Sequence, residues 1–175
     1  MNRLWTIGLA LIGCLLLEGC EKSVTTATPP ATSQLASVPT KVQPKLPTIK
    51  VWLGSQELVT EVATTDLQIH TGMMFRKEIA ENEAMLFVFD QPDYRAFWMS
   101  NVTVPLSCAY IDPDGVILET HKMTPQETKP IDSASDRIQF VLETSQGWFE
   151  RHNVSTGTVV RTERGSLAET FFRGR

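Results

Sequence analysis

From residue 48 onward the apolar residues recur mainly at the short, alternating intervals of strands rather than at helical ones. Segments 48–53 (TIKVWL) and 58–63 (LVTEVA) alternate or run β-branched around Gly54-Ser55, which predicts a hairpin. Segment 64–72 opens with threonines able to cap, carries Asp66 in a first turn and meets Gly72, so a short helix should end there. Segment 84–89 (AMLFVF) is apolar at every position, the pattern of a central strand buried on both faces. Segments 107–112 and 116–122 flank Asp112-Pro113-Asp114-Gly115, in which proline presets the turn and glycine accepts a positive φ, so a second hairpin is expected. A polar loop follows over 123–136, then a strand over 137–143, a helical turn over 145–152 with Trp148, Phe149 and His152 on one face, and a last strand over 158–161.

These elements predict a mostly β or α+β fold: a compact antiparallel sandwich or jelly-roll-like barrel with two short helices. The globular domain is expected over 48–162, with 163–175 as a C-terminal tail. Segment 96–105 (AFWMSNVTVP) sets a question of its own, because alternation along a strand sends Phe97 and Met99 to one face and Trp98 to the other. Phe97 and Met99 are therefore assigned to packing, leaving Trp98 and Asn101 available to a ligand.

The N-terminal composition changes the picture. Arg3 precedes an apolar run, 4–17, that is short for a bilayer span and ends at Gly19-Cys20, as secretory signals do. Leu17-Glu18-Gly19-Cys20 resembles a bacterial lipobox, in which the signal, here 1–19, is removed and the cysteine, here Cys20, is acylated. Leu11-Ile12-Gly13-Cys14 also fits the pattern, but cleavage there would start the mature chain with three leucines, whereas Cys20 is followed by Glu21 and Lys22. Segment 20–47 holds half of the chain's ten prolines and almost no large apolar side chain, so it reads as a tether. The expected localisation is extracytoplasmic, held to a membrane by lipid. Cys108 would then be the one thiol of the mature domain, and its apolar surroundings suit a buried small hydrophobe.

A net charge of -4 offers no basic surface for nucleic acid. His70, His121 and His152 fall in no ligand-pair spacing, and phosphate-cradling glycine loops and a nucleophile elbow are absent, so neither a metal nor a cofactor is expected. Three apolar stretches do end in polar groups, at Arg76, at Asn101 and at His121-Lys122, as the walls of ligand pockets often do.

Segments 72–92, 96–117 and 140–160 resemble successive motifs of the domain of unknown function 192 family. The resemblance implies a mostly antiparallel β fold and no reaction. Its pattern falls on Gly72, Met74, Phe75 and Arg76; on Met85, Leu86, Phe87 and Phe89; on Phe97, Trp98, Met99 and Asn101; on Pro105, Leu106, Asp112 and Gly115; and on Val141, Leu142, Glu143 and Gly147. Ser100 and Ser107 replace a family lysine and aspartate. Their joint loss is what removal of a structural ion pair predicts, since losing one partner alone would strand a charge.

Three readings follow as expectations, one of them a structural or accessory domain with no pocket at all. The first is a non-catalytic envelope module that binds a small molecule, a glycan or a protein partner through Arg76, Trp98, Asn101 and His121. The alternative is an envelope hydrolase or transferase using His121 as acid or base, oriented by Asp136 or Glu143.

Overall fold

A computed structural model describes residues 39–174. The signal, Cys20 and most of the tether lie outside the described residues. The first hairpin is β1 (Thr48–Leu53) and β2 (Gln56–Ala63), antiparallel as expected. Helix α1 (Asp66–Thr71) starts in a capping box, the Thr65 hydroxyl accepting from Gln68 N while the Gln68 side chain accepts from Thr65 N. It stops at Gly72, whose φ of 46° and ψ of -129° suit only glycine. An added Cβ there would also lie 3.3 Å from the Phe87 ring.

Strand β3 (Glu83–Asp93) runs parallel to β2, a pairing that requires the crossover through α1 and departs from the all-antiparallel expectation. The strand β5 (Leu106–Ile111) pairs with β6 (Ile117–Met123) across the Asp112–Gly115 turn. There Asp112 Oδ1 accepts from the backbone N–H groups of Asp114 and Val116. Strand β8 (Ile138–Ser145) is inserted between β3 and β5, and β9 (Val160–Thr162) joins the outer edge of β1. Two-residue strands β4 (Ala96–Phe97) and β7 (Ile131–Asp132) form a separate ribbon.

The fold is mostly β, as expected, but the sheet stays open instead of closing into a barrel: with a short last strand β10 (Gly165–Ser166), its order is β10-β9-β1-β2-β3-β8-β5-β6. Both faces are covered. One carries Val51, Leu58, Leu86, Leu142 and Phe140 beneath α2 (Trp148–Arg151) and α3 (Leu167–Phe172). The other carries Met85, Phe87, Cys108, Tyr110 and Val141 beneath Met73, Met74, Met99 and Val102. With one residue's alternation the sheet thus serves two cores, which explains why 84–89 has no polar position.

The ends of the domain are more structured than expected. Gly165–Ser166 adds strand β10, and α3 follows as a third helix, begun by a Ser166–Glu169 capping box and anchored by fully buried Leu167. At the other end Gln43 Nε2 donates to Gly72 O at 2.8 Å, and Val62 N donates to Pro47 O at 3.0 Å, so the last tether residues lie along α1 and β2. Among the described residues no helix is long and apolar enough to cross a membrane.

Candidate functional site

The sheet register places Glu61 (β2), Met85 (β3), Glu143 (β8), Cys108 (β5) and His121 (β6) in one row across five strands, all on the face beneath Met73 and Met74. Each polar member meets a different fate. At one end Glu61 receives both Arg76 terminal nitrogens at 2.7 Å, a bidentate pair with side chains 10% and 8% exposed. Burial pushes the Glu61 carboxyl up, but the Arg76 hydrogen bonds, Leu46 N at 2.7 Å and the nearby charges of Arg76 and Lys45 outweigh it and leave the carboxyl below its ordinary value.

At the other end His121 Nε2 lies 2.9 Å from Glu119 Oε2, and its ring meets Tyr110 edge-on. Glu119 Oε1 also accepts from Ala134 N at 2.8 Å, so this pair ties the 123–136 loop to the sheet edge. Glu143 is two strands away, roughly 10 Å by ordinary strand spacing, and Asp136 is exposed in the loop before β8. The carboxylate that orients His121 is therefore Glu119, because residues two apart on one strand share a face.

The centre of the row is different. Glu143 is 4% exposed, and its Oε2 has no hydrogen-bond partner. Burial pushes its carboxyl up to about 8, which favours the neutral acid. Its neighbour Cys108 is fully buried, and burial pushes that thiol up as well, which removes it as a nucleophile.

Above Glu143 lies a cavity of about 300 Å³. Phe87, Phe89 and Glu143 supply its sheet side, the end of α1 and Gly72–Met74 one wall, and Tyr94–Trp98 the other. Trp98 and Tyr94 are 46% and 62% exposed, so aromatic surface continues from the cavity to solvent. The Arg95 guanidinium stacks 3.9 Å from the Phe89 ring centroid and donates to the carbonyls of Gln91 and Ile138.

Of the four residues expected to gather round one concavity, Trp98 alone lines this one. Arg76 is turned to Glu61. Asn101 adopts a left-handed conformation, φ 60°, and its carbonyl accepts from Phe75 N at 2.8 Å, so it serves the turn after Trp98. His121 belongs to the sheet edge. Met99 packs as expected, being 2% exposed, whereas Phe97, also assigned to packing, packs against the same core but lines the cavity as well; only Ala96–Phe97 is strand. Ser107 is buried and its hydroxyl accepts from Gly147 N at 3.0 Å just before α2. Tyr94 and Arg95, which also line the cavity, fall between the sequence motifs, and His70 has a place in the sequence only as a candidate metal ligand. Among the described residues no group of three or more His, Cys, Asp or Glu side chains is placed to hold a metal ion.

An open mixed sheet covered on both faces, with an aromatic cavity over one buried acid, defines a small mostly β domain with a ligand-sized concavity. Its family is shown by the match of residues 49–162 to the family model described as "Uncharacterized ACR", domain of unknown function 192: the chain belongs to that family. A crystal structure from Sinorhizobium meliloti 1021, described provisionally as a transcription regulator, is 28% identical with a TM-score of 0.66, covering 69% of this chain and 97% of that one. A protein of unknown function from Novosphingobium aromaticivorans DSM 12444 is 26% identical with a TM-score of 0.62, covering 82% and 99%. Among curated proteins none matches.

Two outcomes are expected of these carboxylates. Arg76→Met strands a buried carboxylate and should cost about 3–5 kcal/mol in urea unfolding, while Glu61→Leu with Arg76→Met should recover most of it; a double variant no more stable than the single would show the pair is not the cause. For Glu143 the folded value lies above the ordinary 4.5, so its contribution to stability is full below pH 4.5 and lost as pH rises through about 8. Relative to Glu143→Gln, the wild-type chain should lose at most about 1.4 kcal/mol per pH unit across that window. A wild-type-minus-variant difference that stays constant there would mean the carboxyl titrates normally.

Proposed function

We propose that this chain is a membrane-tethered, non-catalytic binding module of the bacterial cell envelope, which takes a small ligand, or one group of a glycan or protein partner, into the cavity over Glu143. The observation that carries this reading is the unpartnered buried acid at the sheet side of a cavity with aromatic walls. Protein interiors rarely leave such a group unsatisfied, and a ligand that meets it recovers the lost hydrogen bonds. The cavity volume suits a compact ligand. The lipobox at Cys20 and the proline-rich tether support an extracytoplasmic, lipid-anchored location.

The hydrolase or transferase reading has less behind it. His121 is engaged by Glu119 and lies outside the cavity, and the cavity brings no second carboxylate to Glu143. The description of the Sinorhizobium meliloti protein does not extend to this chain, whose 20 acidic residues exceed its 16 basic ones and favour no nucleic-acid partner.

Fragment screening by protein-observed NMR tests the cavity. Hits should shift the amides of 70–74 and 94–98, and Trp98→Ala, which removes a half-exposed ring, should weaken them about tenfold while the chain stays folded. Hits that leave both segments unmoved and bind Trp98→Ala equally well would count against a site there. Anchoring has its own test: Cys20→Ser should abolish labelling by a palmitate analogue and shift the chain from the membrane to the soluble fraction, whereas labelling that persists would place the lipid elsewhere.

A further inference from the structure

The polar groups round the cavity differ in what they have left to offer. Thr71 Oγ1 donates to Leu67 O, Gly72 O already accepts from Gln43, and the Arg95 guanidinium is held by two carbonyls and the Phe89 ring. His70 sits at the exposed end of α1. Of the two buried side-chain atoms left without a hydrogen-bond partner among the described residues, Glu143 Oε2 and Arg76 Nε, only the first belongs to a residue that lines the cavity. The neighbours of Glu143 in the sheet, Met85 and Cys108, offer it no charge, and the Arg76 guanidinium is committed to Glu61.

Burial favours the neutral form of a carboxyl group in that position, and a neutral carboxyl presents one O–H donor beside one C=O acceptor. A cationic ligand would have to ionise that acid next to a cavity already lined by Arg95. An anionic ligand could draw on Arg95, which keeps N–H donors beyond the two it gives to carbonyls, but would have to leave water for walls made of Phe87, Phe89, Phe97, Met73 and Met74 and would meet no charge on a neutral Glu143. An uncharged ligand with a donor and an acceptor side by side matches a neutral carboxyl, whose Oε2 lacks a partner, without moving a charge.

We infer that the cavity recognises an uncharged amide, its N–H and C=O paired with the Glu143 carboxyl and the body that bears it laid against Tyr94 and Trp98. This rests on the binding role proposed above and narrows it to a ligand class. An N-acetylated sugar and an N-acylated amino acid share that chemistry.

Three probes with one ring and different heads separate the possibilities: benzamide, benzoate and benzylamine, titrated by NMR into the wild-type chain, Glu143→Gln and Glu143→Leu. The amide of glutamine keeps a donor beside an acceptor, so benzamide should bind Glu143→Gln within about threefold of wild type and Glu143→Leu at least tenfold more weakly. Benzylamine binding tighter than benzamide and lost in Glu143→Gln would overturn the amide assignment in favour of a cation, and tighter benzoate would overturn it in favour of an anion, each leaving the cavity as a binding site. Failure of all three to shift any cavity amide would overturn both the assignment and the binding role. N-acetylglucosamine and N-acetylalanine methylamide, titrated alongside, tell the sources apart: whichever shows the same dependence on residue 143 identifies the body carried by the amide.

Discussion

Burial of β3 and β8 on both faces is the constraint on which the other features depend. Strands with two covered faces have no solvent side on which to place a polar group, so any such group in the middle of the sheet must find its partner within the protein. The row from Glu61 to His121 shows how distance from the sheet's centre decides the outcome. Glu61 and His121 lie where chain from the covering layer or from the same edge strand can reach them, and both are paired. Glu143 and Cys108 lie between, among mostly apolar side chains, and burial favours the neutral form of both. For Cys108 that is ordinary packing. For Glu143 it leaves unmet hydrogen bonds beside an open volume.

Much of this sheet was legible in the chain because local rules and tertiary demands agree there. The two hairpins rest on Gly54 and on the Asp112–Gly115 turn, α1 on its threonine cap and Gly72, and β3 on an uninterrupted apolar run. The parallel pairing of β2 with β3 was not legible, since nothing local distinguishes a strand's partner across a crossover. Nor was α3: its capping box, Ser166 with Glu169, was present to be read, but the segment looked polar and terminal, and only the seat of Leu167 in the core reveals its role. Of the expected site residues Trp98 lines the cavity, although it lies past the two-residue strand Ala96–Phe97 and strand alternation does not account for its exposure. Arg76 and Asn101 lie outside that lining for one reason: a polar residue after an apolar run marks a boundary, and the sequence does not say whether the boundary faces a cavity or a buried partner. Glu143 was noticed as a helper for His121, yet its isolation is a property of the sheet's strand order, which periodicity does not encode.

The cavity itself depends on irregular backbone in the covering layer. Gly72, Phe75 and Asn101 all have positive φ, and Phe75 N is bonded to Asn101 O, so two loops are joined beside the cavity in conformations that regular structure would not supply. The Arg76–Glu61 pair then fastens that joint to β2. Between the joint and the β4–β7 ribbon the layer does not close over Glu143. A helix packed regularly on this face would have filled the space with side chains, as α2 and α3 do on the opposite face with Trp148, Phe149 and Leu167.

This arrangement gives the family motifs a division of labour that a list of motif residues hides. Gly72, Phe75, Arg76 and Asn101 are positions of the family pattern, and their physical work is to hold an opening in place. Glu143 and Trp98 belong to the same pattern and face that opening. The loss of the family lysine and aspartate at Ser100 and Ser107 falls on neither group: Ser107 lies under α2 on the other side of the sheet, where its hydroxyl still meets Gly147 N. The Ser107 replacement therefore leaves both the frame and the acid intact.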